Sequence, residues 1–209
     1  SGAGQFSGTA YVFTRSGNTW TQQQKIDSPE PTKRDLFGED VGISGNTIII
    51  GAHTRAVNFE PFDGVTFVYT RSGSTWTQLQ ELTASDFHQF DRFGTSISID
   101  GDYIVCGAEF ADTSSLPSPG DGAIYVFYRN GYTFTQQQKI AANDIGAEAD
   151  NIGEKVALSG DTIVVGSRAS DSGAGQFSGT AYVFTRSGST WTLKTKLAPD
   201  DLQSYDDLG

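Results

Sequence analysis

The chain has 209 residues and a formal net charge of −11. This acidity argues against nucleic acid and against an anionic membrane surface as partners, because both would repel it. No apolar run approaches the roughly 20 residues that a membrane-spanning helix needs, and the single cysteine, Cys106, excludes an intramolecular disulfide.

An internal repeat of about 57 residues organises the sequence. The segment SGAGQFSGTAYVFTRSG occurs at 1–17 and again at 172–188, an offset of 171 residues. Runs of the type Gly-x-x-Tyr-Val-Phe begin at four glycines spaced by 56, 58 and 57 residues: Gly8, Gly64, Gly122 and Gly179. Repetition at this period indicates supersecondary units that bury their apolar faces against neighbouring copies.

Each repeat contains four strand signals in the same order. The first is the short run VGI, SISI or VAL, and the second is TIII, YIVC or TIVV. Between them lie two-residue turns that tolerate positive φ and so favour tight hairpins: Gly45-Asn46, Gly101-Asp102 and Gly160-Asp161. The second strand is apolar at consecutive positions, so we expect both of its faces to be buried.

Cys106 lies in this second strand, at the position where other copies have Ile50 and Val165. We therefore expect it to be a small buried hydrophobe.

The third strand, YVF or FVY, is also apolar on both faces. The fourth begins with an aromatic residue and then becomes polar, as an outer strand beside solvent should; these aromatic residues are Trp20, Trp76, Phe134 and Trp191. A four-stranded meander of this kind is typical of a propeller blade. We therefore predict an all-β chain, a β-propeller built from four-stranded antiparallel blades, with no helix longer than about one turn.

The number of strand signals corresponds to about three and a half blades. We expect the repeats to span 1–38 (an outer half-blade), 39–94, 95–153 and 154–209, all as part of one propeller. A closed ring needs more blades than this. We therefore expect the chain to be a segment of a longer repeat protein, with other blades of that protein or other protein subunits as partners.

Two dipeptides recur at fixed places in the repeat: Phe37-Gly38 and Phe93-Gly94 before the first strand, and Gly51-Ala52 and Gly107-Ala108 after the second. With the Gly-x-x-Tyr-Val-Phe strands, they make the chain resemble the FG-GAP repeat, the blade unit of integrin α-subunit propellers and their microbial relatives. Other copies depart conservatively, with Ile152-Gly153, Leu208-Gly209 and Gly166-Ser167. The resemblance implies an extracellular or cell-surface location and a role in adhesion, scaffolding or filament assembly.

Integrin propellers bind calcium in a loop of the type DxDxDGxxxD between the first two strands of some blades. Here that loop is only SGN, DGD or SGD, too short to supply the six to eight oxygens that calcium takes, so the integrin site is not expected. One acidic position does recur, three residues before the repeat's glycine: Asp35, Asp91, Asp150 and Asp206. Its carboxylates either cap the backbone of their connections or bind calcium with help from Asp86, Asp144, Glu148 or Asp200. No other cofactor is predicted.

The loops after the Gly-Ala or Gly-Ser pair differ most between copies, and variable loops on one face of a propeller commonly carry recognition. The candidate recognition residues in them are Phe59, Phe62, Phe110, Asp112, Asp171 and Phe177. The phenylalanines could instead pack between blades.

The sequence contains no Ser-His-Asp order, GxSxG motif or phosphate-binding loop. His53 and His88 lie in different loops without further ligands at zinc spacing. We therefore expect a non-catalytic protein. One alternative is a lectin-like propeller that binds glycans by stacking the Trp and Tyr of each repeat, which fails if the tryptophans are buried between blades. The other is the propeller domain of a secreted enzyme, which would require a polar cluster that breaks repeat symmetry at the central channel; no such cluster is recognisable from the sequence.

Overall fold

The structure, a computed structural model, describes residues 7–29, 35–56, 63–111, 120–145, 151–168, 178–201, 203–206 and 208. In these ranges it has one short 3-10 helix, Ala142–Ile145, and fourteen strands: β1 (Thr9–Ser16), β2 (Thr19–Asp27), β3 (Val41–Ser44), β4 (Thr47–Ala52), β5 (Val65–Ser72), β6 (Thr75–Leu82), β7 (Ile97–Asp100), β8 (Tyr103–Ala108), β9 (Ala123–Asn130), β10 (Thr133–Ala141), β11 (Lys155–Ser159), β12 (Thr162–Ser167), β13 (Thr180–Ser187) and β14 (Thr190–Leu197). The predicted all-β class is confirmed. No helix in the described ranges is long and apolar enough to cross a bilayer.

The strands form three four-stranded antiparallel sheets, β3–β6, β7–β10 and β11–β14, and one two-stranded sheet, β1–β2. Each four-stranded sheet consists of an inner hairpin (β3–β4, β7–β8 or β11–β12) followed by an outer hairpin (β5–β6, β9–β10 or β13–β14). The sheet β1–β2 has only the outer hairpin. The inner turns close as the sequence predicts: Ser44 pairs with Thr47 across a turn in which Gly45 has φ 58°.

Consecutive sheets pack face to face. The first strands β3, β7 and β11 contact one another in that order, and β6 contacts β10 on the outside. Each interface is filled by a separate apolar cluster; one contains Ile49 and Val68 from one sheet with Ile97, Ile104 and Cys106 from the next. This is the arrangement of consecutive blades of a β-propeller, here an open array of three blades and a half-blade within the described residues.

Cys106 is fully buried in this interface, as expected of a small core residue. Burial raises the pKa of its thiol to about 12. The side chain is therefore protonated at neutral pH, and the thiolate that would act as a nucleophile is not available.

The recurring dipeptides meet in the folded chain. Within one blade, the Gly38 N–H donates to the Gly51 carbonyl at 2.9 Å, and the Gly94 N–H donates to the Gly107 carbonyl at 2.8 Å. A Cβ added to Gly51 would lie 2.4 Å from the Gly94 carbonyl oxygen of the next blade. The phenylalanine of the motif packs on the third strand, with the Phe93 ring 5.5 Å from that of Tyr125. The motif thus joins each blade to its neighbour through backbone contacts that leave no room for side chains.

A side-chain clasp joins the outer strands of consecutive blades. Gln80 on β6 donates its amide to the Phe134 carbonyl on β10 and accepts the Phe134 N–H, both at 2.8 Å. Gln24 with Trp76 and Gln138 with Trp191 repeat the two bonds. Each clasp satisfies a backbone N–H and a carbonyl on the neighbouring sheet, which fixes the sheets in register.

The inner strands are joined in a similar way. Ser96 and Ser98 accept the N–H groups of Val156 and Leu158 at 3.1 and 3.0 Å. Asp40 accepts the Ile97 N–H at 2.7 Å. These bonds hold the starts of β3, β7 and β11 side by side, which brings the residues around those starts into one site.

Candidate ligand-binding recess

A polar recess of about 270 Å³ lies where the three innermost strands begin. We call it the axial recess. The starts of β3, β7 and β11 supply Glu39, Asp40, Thr95, Glu154 and Lys155. The residues that follow β8 and β12 supply Glu109, Phe110 and Arg168, and Arg92, which precedes β7, completes the lining. Three blades therefore contribute to one site.

Two positions of the repeat supply most of this lining. The residue after the Phe-Gly or Ile-Gly pair is Glu39, Thr95 or Glu154, and the residue after the Gly-Ala or Gly-Ser pair is His53, Glu109 or Arg168. The backbone repeats at these positions while the side chains differ in charge and size. The recess is thus a place where a repeated scaffold carries unlike side chains.

Ion pairs organise the charges of the recess. Arg92 Nη1 lies 2.9 Å from Glu109 Oε1, and Arg168 Nε lies 2.8 Å from Glu154 Oε1. In each pair the acid is the more buried partner: the side chains of Glu109 and Glu154 are 10% and 20% exposed, those of Arg92 and Arg168 42% and 61%. Arg92 also stacks over Phe110 at 4.7 Å from the ring centroid. The guanidinium groups therefore face outward.

His53 lies behind this lining. Its Nδ1 is 3.2 Å from a carboxylate oxygen of Glu39. Burial of the ring, reinforced by Arg92, keeps the pKa of His53 below its ordinary value in spite of the Glu39 carboxylate. We therefore treat His53 as neutral at pH 7, so that it adds no charge to the recess.

No polar cluster was recognisable from the sequence, and the structure brings one together in the axial recess. Its members come from distant parts of the chain: Glu39, Thr95 and Glu154 are separated by 56 and 59 positions. The available signal was the change from His to Glu to Arg at the position directly after the recurring Gly-Ala or Gly-Ser pair.

Of the six candidate recognition residues, Phe110 lies in the described part of the chain, and it lines the recess under Arg92. The other five, Phe59, Phe62, Asp112, Asp171 and Phe177, lie outside the described residues.

The recurring aspartates lie apart from the recess lining. Asp91 accepts the His88 N–H at 2.8 Å, and Asp206 accepts the Gln203 N–H at the same distance. Asp35 accepts from the Ser28 hydroxyl at 3.4 Å and lies 3.8 Å from Arg55 Nη1. Asp150 lies outside the described residues. The bonds of Asp91 and Asp206 are those expected of backbone caps within their own connections.

Two of the proposed calcium helpers have other partners: Asp86 pairs with Lys139 at 2.6 Å, and Asp144 accepts the Ala141 N–H at 2.9 Å. Among the described residues, no group of three or more His, Cys, Asp or Glu side chains is arranged to hold a metal ion. Calcium binding by the recurring aspartates remains a prediction to be tested.

Substitution of Asp91 separates the cap from a metal ligand. Asp91→Asn keeps the acceptor oxygen, so we expect the free energy of unfolding to change by less than about 1 kcal/mol, whereas Asp91→Ala should lose about 1–3 kcal/mol. Urea unfolding measures both. A strong rise in melting temperature on adding calcium to the wild type, absent from the Asn variant, would show that the carboxylate binds the ion instead.

The aromatic residues of the fourth strands are core residues in three of the four copies. Trp76, Phe134 and Trp191 are each at most 3% exposed, between consecutive sheets. They cannot stack on a sugar there, so the condition on which the lectin-like alternative depended is not met at these positions. Trp20, on the half-blade, is 64% exposed.

Comparison with known proteins identifies the repeat. The FG-GAP repeat profile matches residues 20–64, 76–127 and 134–184, which together are more than half of the chain. No curated protein matches the sequence. Among solved structures, the periplasmic gluconolactonase PpgL of Pseudomonas aeruginosa is similar with 12% sequence identity and a TM-score of 0.40, over 92% of this chain. The match spans 65%, less than two thirds, of that protein's length. The three profile matches, together with the blade-to-blade contacts of the paired dipeptides, establish that the chain belongs to the FG-GAP repeat family.

Proposed function

We propose that the chain is a non-catalytic recognition and scaffolding module of an extracellular or cell-surface repeat protein, and that the axial recess binds a carboxylate-bearing segment of a protein partner. The observation that carries the proposal is the pairing inside the recess. Arg92 and Arg168 hold the acids inward through Nη1 and Nε. The guanidinium groups are partly exposed, and their other N–H groups can donate to a partner carboxylate.

The same pairing disfavours acid–base chemistry at two of the four carboxylates that line the recess. A general acid or base must exchange a proton with the substrate, but Glu109 and Glu154 are each engaged by an arginine within 3 Å. The Cys106 thiol is fully buried and protonated. The described residues therefore favour binding over turnover.

Scaffolding is supported by the contacts between blades. Glutamine clasps on the outside and serine and aspartate clasps on the inside join consecutive sheets through backbone groups. A recess shared by three blades keeps its shape only if those blades do not move relative to one another, which these bonds favour.

A matched pair of peptides tests the recess. We expect acetyl-Gly-Glu-Gly-amide to bind the full chain saturably in titration calorimetry or NMR, and acetyl-Gly-Gln-Gly-amide, which lacks the charge, to bind at least tenfold more weakly. Arg168→Ala should weaken binding of the glutamyl peptide at least tenfold because the substitution removes a guanidinium group that faces solvent. Arg15→Ala, which removes an arginine at an exposed hairpin turn, should leave it unchanged. Equal binding of the two peptides would contradict carboxylate recognition.

A panel of chromogenic ester, lactone and glycoside substrates tests the absence of turnover. We expect no hydrolysis above the buffer rate. A rate above buffer that Glu154→Gln abolishes and Arg15→Ala preserves would make the recess an active site and overturn the proposal.

A further inference from the structure

Three tyrosines set the middle blade, β7–β10, apart from the blades on either side of it. Across their two central strands, those blades pair threonine with threonine: Thr47 with Thr70, and Thr162 with Thr185. In the middle blade Tyr103 pairs with Tyr128 instead. Tyr132 follows in the turn between β9 and β10, where the other two blades have Ser74 and Ser189. The backbone repeats while these side chains change, so the tyrosines are a feature of this blade and not of the repeat.

The tyrosines lie at one end of the blade, beside its two hairpin turns. Tyr103 is the first residue of β8, directly after the turn from β7, and Tyr132 lies in the turn from β9 to β10. Tyr128 is 38% exposed and Tyr132 is 88% exposed. Their Cα atoms are at most roughly 14 Å apart, because they are four positions apart along the chain. We call the surface formed by Tyr103, Tyr128 and Tyr132 the tyrosine platform.

The next blade holds part of the platform in place. The guanidinium carbon of Arg186 lies 4.5 Å from the centroid of the Tyr103 ring, and the Trp191 ring meets the same ring edge to face at 5.8 Å. The Tyr128 ring then lies against that of Tyr103, with 4.9 Å between centroids. A side chain that is already ordered loses less conformational entropy on binding. Tyr128 is therefore a preorganised contact for a ligand.

The arginines beside the platform are paired with carboxylates. Arg129 Nε lies 3.1 Å from Asp102, and Arg186 donates to Asp161. Asn130, which is exposed in the same hairpin turn, adds an amide that can both donate and accept hydrogen bonds. These residues together offer aromatic rings, hydroxyl groups and an amide, with each guanidinium matched by an acid. This chemistry suits an uncharged ligand that has both apolar and hydroxylated surfaces.

We propose that the tyrosine platform binds a neutral carbohydrate chain. A pyranose ring has a face of C–H groups that packs on an aromatic ring, and its hydroxyl groups can bond to the tyrosine hydroxyls and the amide. The faces are flattest in β-1,4-linked chains of equatorially substituted sugars. A ligand that touches both Tyr128 and Tyr132 must be longer than one sugar unit. The net charge of −11 disfavours acidic polysaccharides.

The ring contacts favour a sugar over a proline-rich peptide. Such peptides dock in grooves between aromatic side chains, whereas the rings of Tyr103 and Tyr128 are in contact with each other. Burial of the aromatic residues of the fourth strands does not bear on this site, because Tyr128 and Tyr132 are exposed and are not repeat positions. The inference is also independent of the axial recess, which lies at the other end of β7.

Neutral oligosaccharides test the platform. The probes are cellohexaose, chitohexaose and mannohexaose, each titrated into the full chain by calorimetry and followed by NMR of the tyrosine ring protons. We expect saturable binding of at least one probe, with shifts of the Tyr128 and Tyr132 signals. Hexagalacturonate, an acidic chain of the same number of sugars, should bind at least tenfold more weakly than that probe.

Substitutions that restore the residues of the other blades assign the binding to the platform. Tyr128→Thr and, independently, Tyr132→Ser each remove one ring and should weaken binding by about fivefold or more. The other blades carry these residues at the same positions, so both variants should fold, and circular dichroism checks this. Tyr11→Ala, which removes a tyrosine that is 53% exposed on the half-blade, should leave binding unchanged.

Any of four results would overturn the proposal. The first is the absence of saturable binding of every neutral probe to the folded wild type, and the second is undiminished binding to both platform variants. The third is binding of an octaproline peptide, but of no sugar, that Tyr132→Ser abolishes, which would make the site a peptide site. The fourth is dimerisation of the chain alone that Tyr132→Ser abolishes, which would make a second copy the occupant.

Discussion

Replacing Gly122 with alanine should lower the free energy of unfolding by about 3 kcal/mol or more, whereas Gly131→Ala should lower it by only about 1 kcal/mol. Both glycines have positive φ, 85° and 66°, and they lie at the two ends of β9. A Cβ at Gly122 would be 2.2 Å from the Ile152 carbonyl oxygen, while at Gly131 nothing lies within 4 Å. The difference between the two variants therefore isolates the cost of close backbone approach.

Chemical denaturation followed by far-UV circular dichroism measures both values. Gly122 forms an isolated parallel β-bridge with Ile152, which lies in the connection to the next blade. Gly8 and Gly179 form equivalent bridges with Phe37 and Leu208. Similar losses for Gly122→Ala and Gly131→Ala would mean that the connection moves aside easily and does not fix the spacing of the blades.

Replacing Trp191 with alanine should cost about 3–5 kcal/mol, the range for deleting a large buried aromatic side chain. The same substitution at Trp20 should cost less than about 1 kcal/mol. Trp191 is 2% exposed and its ring lies 5.8 Å from that of Tyr103 on the preceding blade. Trp20 occupies the same position of a hairpin that differs at five of 18 residues, and it is 64% exposed.

Thermal and urea unfolding of the two variants gives the comparison, with each protein checked for a native circular dichroism spectrum. The hairpins provide a control for local sequence around the tryptophan, because residues 9–17 and 180–188 are identical and Thr-Trp-Thr occurs in both second strands. A loss at Trp20 as large as that at Trp191 would show that the half-blade face is covered in solution.

The strands, turns and repeat could be predicted from sequence because their signals are local. Consecutive apolar residues in TIII and YIVC indicated strands buried on both faces, and β4 and β8 are buried along almost their whole length. Gly-Asn and Gly-Asp pairs indicated tight inner hairpins, and Gly45, Gly101 and Gly160 have the positive φ that such turns use. Repetition at a fixed period then indicated that each unit packs on its neighbours, which led to the propeller.

The capping bond of Asp91 was also accessible from sequence, because its acceptor and donor lie three residues apart. The axial recess was not. Glu39, Thr95 and Glu154 stand at equivalent places in three repeats, and only the lateral packing of β3, β7 and β11 brings them together. No local sequence pattern indicates which charged side chains will meet across that distance. Arg92 and Glu109, for example, form an ion pair because the fold brings the connection before β7 close to the residue after β8.

The sequence by itself therefore determined the four-stranded unit, its turns and its repetition, since these follow from the preferences of neighbouring residues along one strand. The tertiary structure alone decided which repeated side chains are core and which are surface. Trp20 and Trp191 show this most directly: both follow the identical segment TAYVFTRSG and lie between the same two threonines, yet one is exposed and the other is buried. The physical reason is that a side chain is buried only where a neighbouring sheet packs against it. A strand's own sequence does not specify whether such a sheet is present.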